Sequence, residues 1–225
     1  MPKRILFIGA NPNDTAQLRL QDEINLVQDQ IQMNHGEEYE LTVRNAATKS
    51  DLIRFLNQTR PNILHISGHG NDDQTLVLED EEGNSAPISI PQLGDLLGDN
   101  YGDDLDCVIM AACYSLNEIE SFSPQIGHTI GMSRQVLNTD AMEFTQTFYN
   151  TLFSGRTINE SYQIAVDGIN LGLVEDSDVF RIISNADVIQ ASGAIGEEKS
   201  SFNWKIVLLM ISAIAILLVV ILKIM

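Results

Sequence analysis

Two short apolar runs constrain this chain more than anything else in it. They are Asn62-Ile-Leu-His-Ile-Ser-Gly-His-Gly70 and Asp106-Cys-Val-Ile-Met-Ala-Ala-Cys-Tyr-Ser115. Both have strand character, and neither is long enough for a helix of ordinary length. The first ends in a His between two glycines and the second in a Cys. A parallel sheet carrying both would deliver His69 and Cys113 from the C-terminal ends of two strands, where function gathers in open α/β sheets. A base beside a thiol is the minimum apparatus of a cysteine hydrolase.

The rest of the chain supplies the sheet that this arrangement needs. Arg4–Gly9 reads as a buried strand with Ala10–Asp14 as its exit loop. Asp14 or Thr15 can cap a helix to Met33, whose apolar positions Leu20, Ile24, Val27 and Ile31 recur at helical spacing. Glu40–Val43 reads as a strand. Ser50 can cap a helix that ends before Pro61. Thr75–Leu78 and Ala86–Ile88 flank an acidic turn as a surface hairpin. Pro91–Leu97 reads as a short helix, Leu105–Ala111 and His128–Met132 as strands, and Ala141–Phe153 and Ile158–Leu171 as helices. Strand–helix alternation of this kind predicts an α/β fold with a mostly parallel sheet and helices on both faces.

Residues 1–190 are enough for one α/β domain and too few for two. The formal net charge is −18, and nearly all of it lies before residue 204. No basic stripe exists to neutralise phosphates, so nucleic acid is not an expected partner. The two cysteines, Cys107 and Cys113, would lie roughly 20 Å apart on an extended strand, too far for a disulfide. Reduced thiols and a start that runs directly into a strand suit a cytoplasmic domain.

Residues 191–203 have linker composition. Trp204 and Lys205 then introduce 17 residues without a charge, Ile206–Leu222, closed by Lys223. Such a segment, with aromatic and basic flanks, predicts a single transmembrane helix over 204–225. The expected placement is single-pass in a bacterial inner membrane, with the preceding domain cytoplasmic.

The glycines around His69 leave room for close approach of a substrate. The amides of Gly70 and Cys113 are candidate oxyanion donors. Cys107, at the start of its strand, reads as core packing. His65 lies on the same strand face as His69, about 13 Å away by strand geometry, which disfavours a shared metal. It reads as a satisfied core histidine. No set of residues has metal-ligand spacing, and Gly9-Ala-Asn-Pro-Asn-Asp14 is not a nucleotide-binding fingerprint, so no metal and no cofactor is expected.

Taken in order, these segments resemble a CHAT domain, a branch of the caspase-like cysteine peptidases. The matching stretches are Ile5–Pro12 with Leu18-Arg-Leu20, His65–Gly70, Leu76–Asp80, Ala112–Ser115, Ile130–Met132, and Phe148–Leu152 leading to Ser154-Gly155. The 44 residues from His69 to Cys113 are near the caspase separation of roughly 50. The resemblance implies a caspase-like fold, His69 as base, Cys113 as nucleophile, Gly70 and Cys113 as oxyanion donors, and endopeptidase action on a protein. It also implies a role in bacterial antiviral defence or programmed cell death. One departure concerns Ala111, two residues before the Cys, where the family usually has Asn and related peptidases use that residue to line the P1 pocket. A methyl group selects no charge. Asp14, in the exit loop of the first strand, is the alternative pocket residue and would favour a basic P1.

The expected protein is therefore a membrane-anchored cysteine endopeptidase, with an upstream sensor or a second copy of itself as possible partners. Two rivals stand beside it. One is a catalytically silent module for recruitment or oligomerisation. The other is a membrane-disrupting effector in which the helix does the damage.

Overall fold

A computed structural model describes residues 1–33, 38–115, 125–134, 138–171 and 179–185. The strands β1 (Lys3–Gly9), β2 (Tyr39–Arg44), β3 (Ile63–Ser67), β7 (Cys107–Ala111), β8 (His128–Met132) and β9 (Phe180–Ser184) form one six-stranded sheet in the order β2-β1-β3-β7-β8-β9. All neighbours pair in parallel except β8 with β9. A second, three-stranded antiparallel sheet joins β4 (His69–Asn71), β5 (Thr75–Glu79) and β6 (Ser85–Ser89). The helices are α1 (Leu20–Met33), α2 (Lys49–Thr59), α3 (Ile90–Tyr101), α4 (Asn138–Phe153) and α5 (Ile158–Leu171).

The central strands β3 and β7 are mostly apolar and almost wholly buried because both faces are covered. Leu6, Ile8, Leu64, Ile66, Val108 and Met110 pack on the face that carries α2 and α3. Ile5, Phe7, Ile63, Cys107 and Ile109 pack on the face that carries α1, α4 and α5. Strand side chains alternate between faces, so each strand contributes to both cores. Burying a side chain such as Ile8 or Phe148, each with no exposed surface, contributes about 1.5–3 kcal/mol.

Element ends differ from the sequence reading where side chains, not periodicity, set them. Helix α1 begins at Leu20, not at Asp14 or Thr15. Residues 11–18 are instead held as a loop by Asn11, whose side chain accepts from Leu18 N at 3.0 Å and donates to Leu18 O at 3.2 Å. Helix α2 is capped by Thr48, not Ser50: Thr48 Oγ1 accepts from Asp51 N while Asp51 reaches back to Thr48 N, a reciprocal capping box. The expected hairpin gains β4 as a third strand. Strand β9, the antiparallel edge, has no counterpart in the sequence reading.

The small sheet is tied across the C-terminal end of the large one. Glu79 N donates to Ala47 O at 3.1 Å, and the buried Glu79 carboxylate accepts from Asn11 N at 2.8 Å. Chain contacts divide the protein into Met1–Val188 and Ile189–Met225. Among the described residues, no helix is long and apolar enough to cross a membrane. The segment 204–225, where a transmembrane helix is expected, lies outside them.

Candidate active site

Strands β3 and β7 are neighbours in the sheet, in register from Ile63–Cys107 to Ser67–Ala111. Both chains therefore leave the sheet at the same level. Gly68 N donates to Ala111 O at 3.3 Å, which ties the first exit to the second. Gly70 then lies directly against the Cys113 backbone. A Cβ on Gly70 would stand 1.9 Å from Cys113 O and 3.1 Å from Cys113 N. Only a residue without a side chain fits there. This contact brings the segments carrying His69 and Cys113 together, both of them half-buried.

The turn that carries Cys113 is fixed from behind. Tyr114 adopts φ +59°, a left-handed conformation uncommon for a large residue. Ser115 is fully buried, donates to Met110 O at 3.1 Å and accepts from Met132 N at 3.0 Å. The strained residue is thus held by hydrogen bonds on its C-terminal side.

His69 is oriented by a residue that sequence reasoning missed. Its Nε2 lies 2.7 Å from the carbonyl oxygen of Ala16. A carbonyl only accepts, so this bond assigns the proton to Nε2 and leaves the basic lone pair on Nδ1. The 11–18 loop presents that carbonyl. It is clasped by Asn11 and hooked to the small sheet by Asn13 N on Gly83 O at 2.9 Å, and by Asp14 on Ser85. A backbone acceptor on an irregular loop leaves no pattern in the sequence.

Asp14 serves that loop. Its carboxylate accepts from Ser85 N at 2.9 Å and Ser85 Oγ at 2.7 Å. The Ser85 hydroxyl holds it below the ordinary carboxylate range. It caps no helix, and it is not among the residues lining the recess beside Cys113. Ala111 does line that recess, together with Leu18, Leu20, Met132, Met142 and Cys113 itself.

Behind the recess lies a buried polar network. His65 has no exposed surface; its Nδ1 is 3.1 Å from Tyr149 Oη and its Nε2 is 3.3 Å from Glu23 Oε1. Glu23 also accepts from Ser67 Oγ at 2.6 Å and Thr145 Oγ1 at 2.9 Å. Burial pushes the Glu23 carboxyl up, but the imidazole and the two hydroxyls outweigh it and leave it below the ordinary range. Burial, with the nearby Glu23 carboxylate, holds Tyr149 well above its usual range. Cys107, at the far end of β7, is fully buried, and desolvation together with Asp106 pushes its thiol strongly up. Among the described residues, no cluster of His, Cys, Asp and Glu could hold a metal.

A half-buried thiol and a tautomer-fixed imidazole thus follow two adjacent parallel strands. The CHAT domain family model matches residues 3–176. This chain belongs to the CHAT domain family. Its CHAT domain is 24% identical over 156 residues to a "Probable protease" of Gillisia limnaea, covering 68% of this chain and 27% of that one. It is 22% identical over 175 residues to a "Roc-COR-CHAT protease" of an unknown prokaryotic organism, covering 74% and 16%. The chain thus spans at most about a quarter of the length of these curated relatives.

Solved structures share the fold at low identity. A secreted C11 cysteine protease of Bacteroides thetaiotaomicron, solved with an irreversible peptide inhibitor, superposes with TM-score 0.58 at 11% identity, covering 84% of this chain and 68% of that one. The Drosophila initiator caspase Dronc gives 0.55 at 6%, covering 80% and 79%. The CHAT domain here therefore has the fold of the caspase-like cysteine proteases.

Proposed function

We propose that this CHAT protein is a cysteine endopeptidase that cleaves a protein substrate with Cys113 and His69. The observation that carries the reading is the contact of Gly70 with the Cys113 backbone, which joins the two strand exits while Ala16 O turns the imidazole. His69 Nδ1 takes the thiol proton, and Cys113 Sγ attacks the scissile carbonyl. The developing oxyanion is held by the amides of Gly70 and Cys113. The C–N bond then breaks, and His69 returns the proton to the leaving amine. Water, deprotonated by His69, hydrolyses the thioester. The family membership and the protease names of both curated relatives support this reading.

The test is labelling by peptide electrophiles. A peptidyl acyloxymethyl ketone should modify Cys113 and leave the Cys113→Ala variant unlabelled. Labelling confined to Cys107, or none in a protein whose Cys113 still reacts with iodoacetamide, would mark the fold as a catalytically silent module.

The anchor and the biological role belong to the same proposal. Ile206–Leu222 spans a membrane, with the CHAT domain on the cytoplasmic side, where a nucleophilic thiol stays reduced. Full-length protein resists carbonate extraction, whereas the double variant Ile211→Lys, Leu217→Lys is released. The role is that of a defence or cell-death effector. Growth arrest on expression should require both Cys113 and the uncharged segment. Arrest by the Cys113→Ala variant would assign the damage to the helix alone.

A further inference from the structure

The recess beside Cys113 is narrow, about 50 Å³, and its walls are Leu18, Leu20, Ala111, Met132 and Met142. Its polar lining is Glu23, Ser67 and Arg19. Glu23 and Ser67 are only 6% and 4% exposed, so both are fixed parts of the wall. Ser67 spends its hydroxyl proton on Glu23 Oε2. What Ser67 offers a guest is therefore an oxygen lone pair, and Glu23 Oε2 retains acceptor capacity beside it. Both residues line the recess, and no other buried polar side chain does.

We infer that Glu23 makes this recess select a basic P1 side chain, arginine or lysine, and reject an acidic one. The inference rests on the peptidase reading above and names the substrate class of the same site. A long unbranched stem matches apolar walls, and the thioethers of Met132 and Met142 adapt to its length. The cationic head then reaches the Glu23 carboxylate and the Ser67 oxygen. An acidic P1 would bring a second carboxylate against Glu23 where little water screens the pair.

Arg19 is the counter-argument, since it lines the same recess one helical turn earlier. Its side chain is exposed, so its field is screened and its position costs entropy to fix. Glu23 is held by Ser67, Thr145 and His65 in a water-poor wall. The fixed, buried charge outweighs the exposed one.

The experiment compares acyloxymethyl ketones that share one peptide and differ at P1: arginine, its uncharged isostere citrulline, and aspartate. Cys113 Sγ displaces the carboxylate leaving group to form a thioether, and intact-mass spectra give the rate. Measurement at about 0.5 M NaCl screens the general attraction of a chain of net charge −18 for any cation. The expected result is arginine at least tenfold faster than citrulline and at least a hundredfold faster than aspartate. In Glu23→Gln the arginine and citrulline rates should fall within about twofold of each other. The wild-type ratio reads the charge even if that variant folds poorly. Equal arginine and citrulline rates in the wild type overturn the inference. So does an aspartate preference that Arg19→Ala abolishes, which would assign selection to Arg19. If no ketone labels Cys113 while iodoacetamide does, the peptidase reading fails and this inference fails with it.

Discussion

Strand β7 starts at one cysteine and leads to a second just beyond its end, and the two could hardly be treated more differently. Cys107 sits at the N-terminal end, fully buried, and its thiol is held protonated by desolvation and Asp106. Cys113 lies two residues past the C-terminal end, half-buried, in a turn braced by Ser115 and covered by Gly70. The residue type is the same, so the difference lies in the place. In a parallel sheet the chain leaves every strand at the same edge, and only there can two neighbouring strands offer side chains to one substrate.

The largest expected effect comes from exchanging each cysteine. Cys113→Ala should lower peptide hydrolysis by about a thousandfold or more, since no other thiol reaches the site. Cys107→Ala should leave kcat/KM within about twofold and cost roughly 1 kcal/mol of stability through a small cavity. Peptide hydrolysis and a denaturant titration on both variants check this. Comparable losses of activity would erase the distinction between the two ends.

Next in size is Gly70→Ala. The added Cβ would fall inside contact distance of Cys113 O, so the Cys113 turn must shift. Activity should fall about a hundredfold, as expected for a misplacement of about 1 Å at a reacting centre. Near-normal kinetics would show that the two strand exits are less tightly joined than described.

Iodoacetamide should alkylate Cys113 at least tenfold faster than Cys107 in the native protein, as thiolate character and access require. Peptide mapping at short times reads the ratio. In denaturant the two should react alike, which isolates the fold as the cause.

The smaller effects lie in the polar network behind the recess. Glu23 has its folded carboxyl below the ordinary value of 4.5. Its contribution to stability is therefore complete above the unfolded value and lost as pH falls through the lowered native one. Urea midpoints measured from pH 6 down to pH 2 should decline more steeply for the wild type than for Glu23→Gln. Tyr149→Phe removes the hydroxyl 3.1 Å from His65 Nδ1 and should cost about 1–2 kcal/mol with little change in kcat.

Much of this was legible in the sequence. His69, Gly70 and Cys113 stand out because short apolar runs mark strands and the residues just past them mark strand exits. His65, read as a core histidine, is buried against Tyr149 and Glu23. Asp14, read as a cap or pocket residue, hooks its loop to Ser85 instead. Glu23 gave no signal, because an acidic residue in the first turn of an amphipathic helix is ordinary. Its burial depends on Ser67, 44 residues away, and Thr145, 122 residues away.

The sequence by itself determined the strand and helix alternation, the parallel sheet and the placing of a histidine and a cysteine just past two strand ends. Those features rest on periodicity and local residue type, which act over a few positions. Only the tertiary structure decided that Ala16 O orients His69, that Gly70 must lack a side chain, and that buried Glu23 lines the recess beside Cys113. Each of these joins groups that are distant in the chain. A carbonyl, a missing side chain and a helix-turn acid become specific only when packing sets what lies within about 3 Å of them.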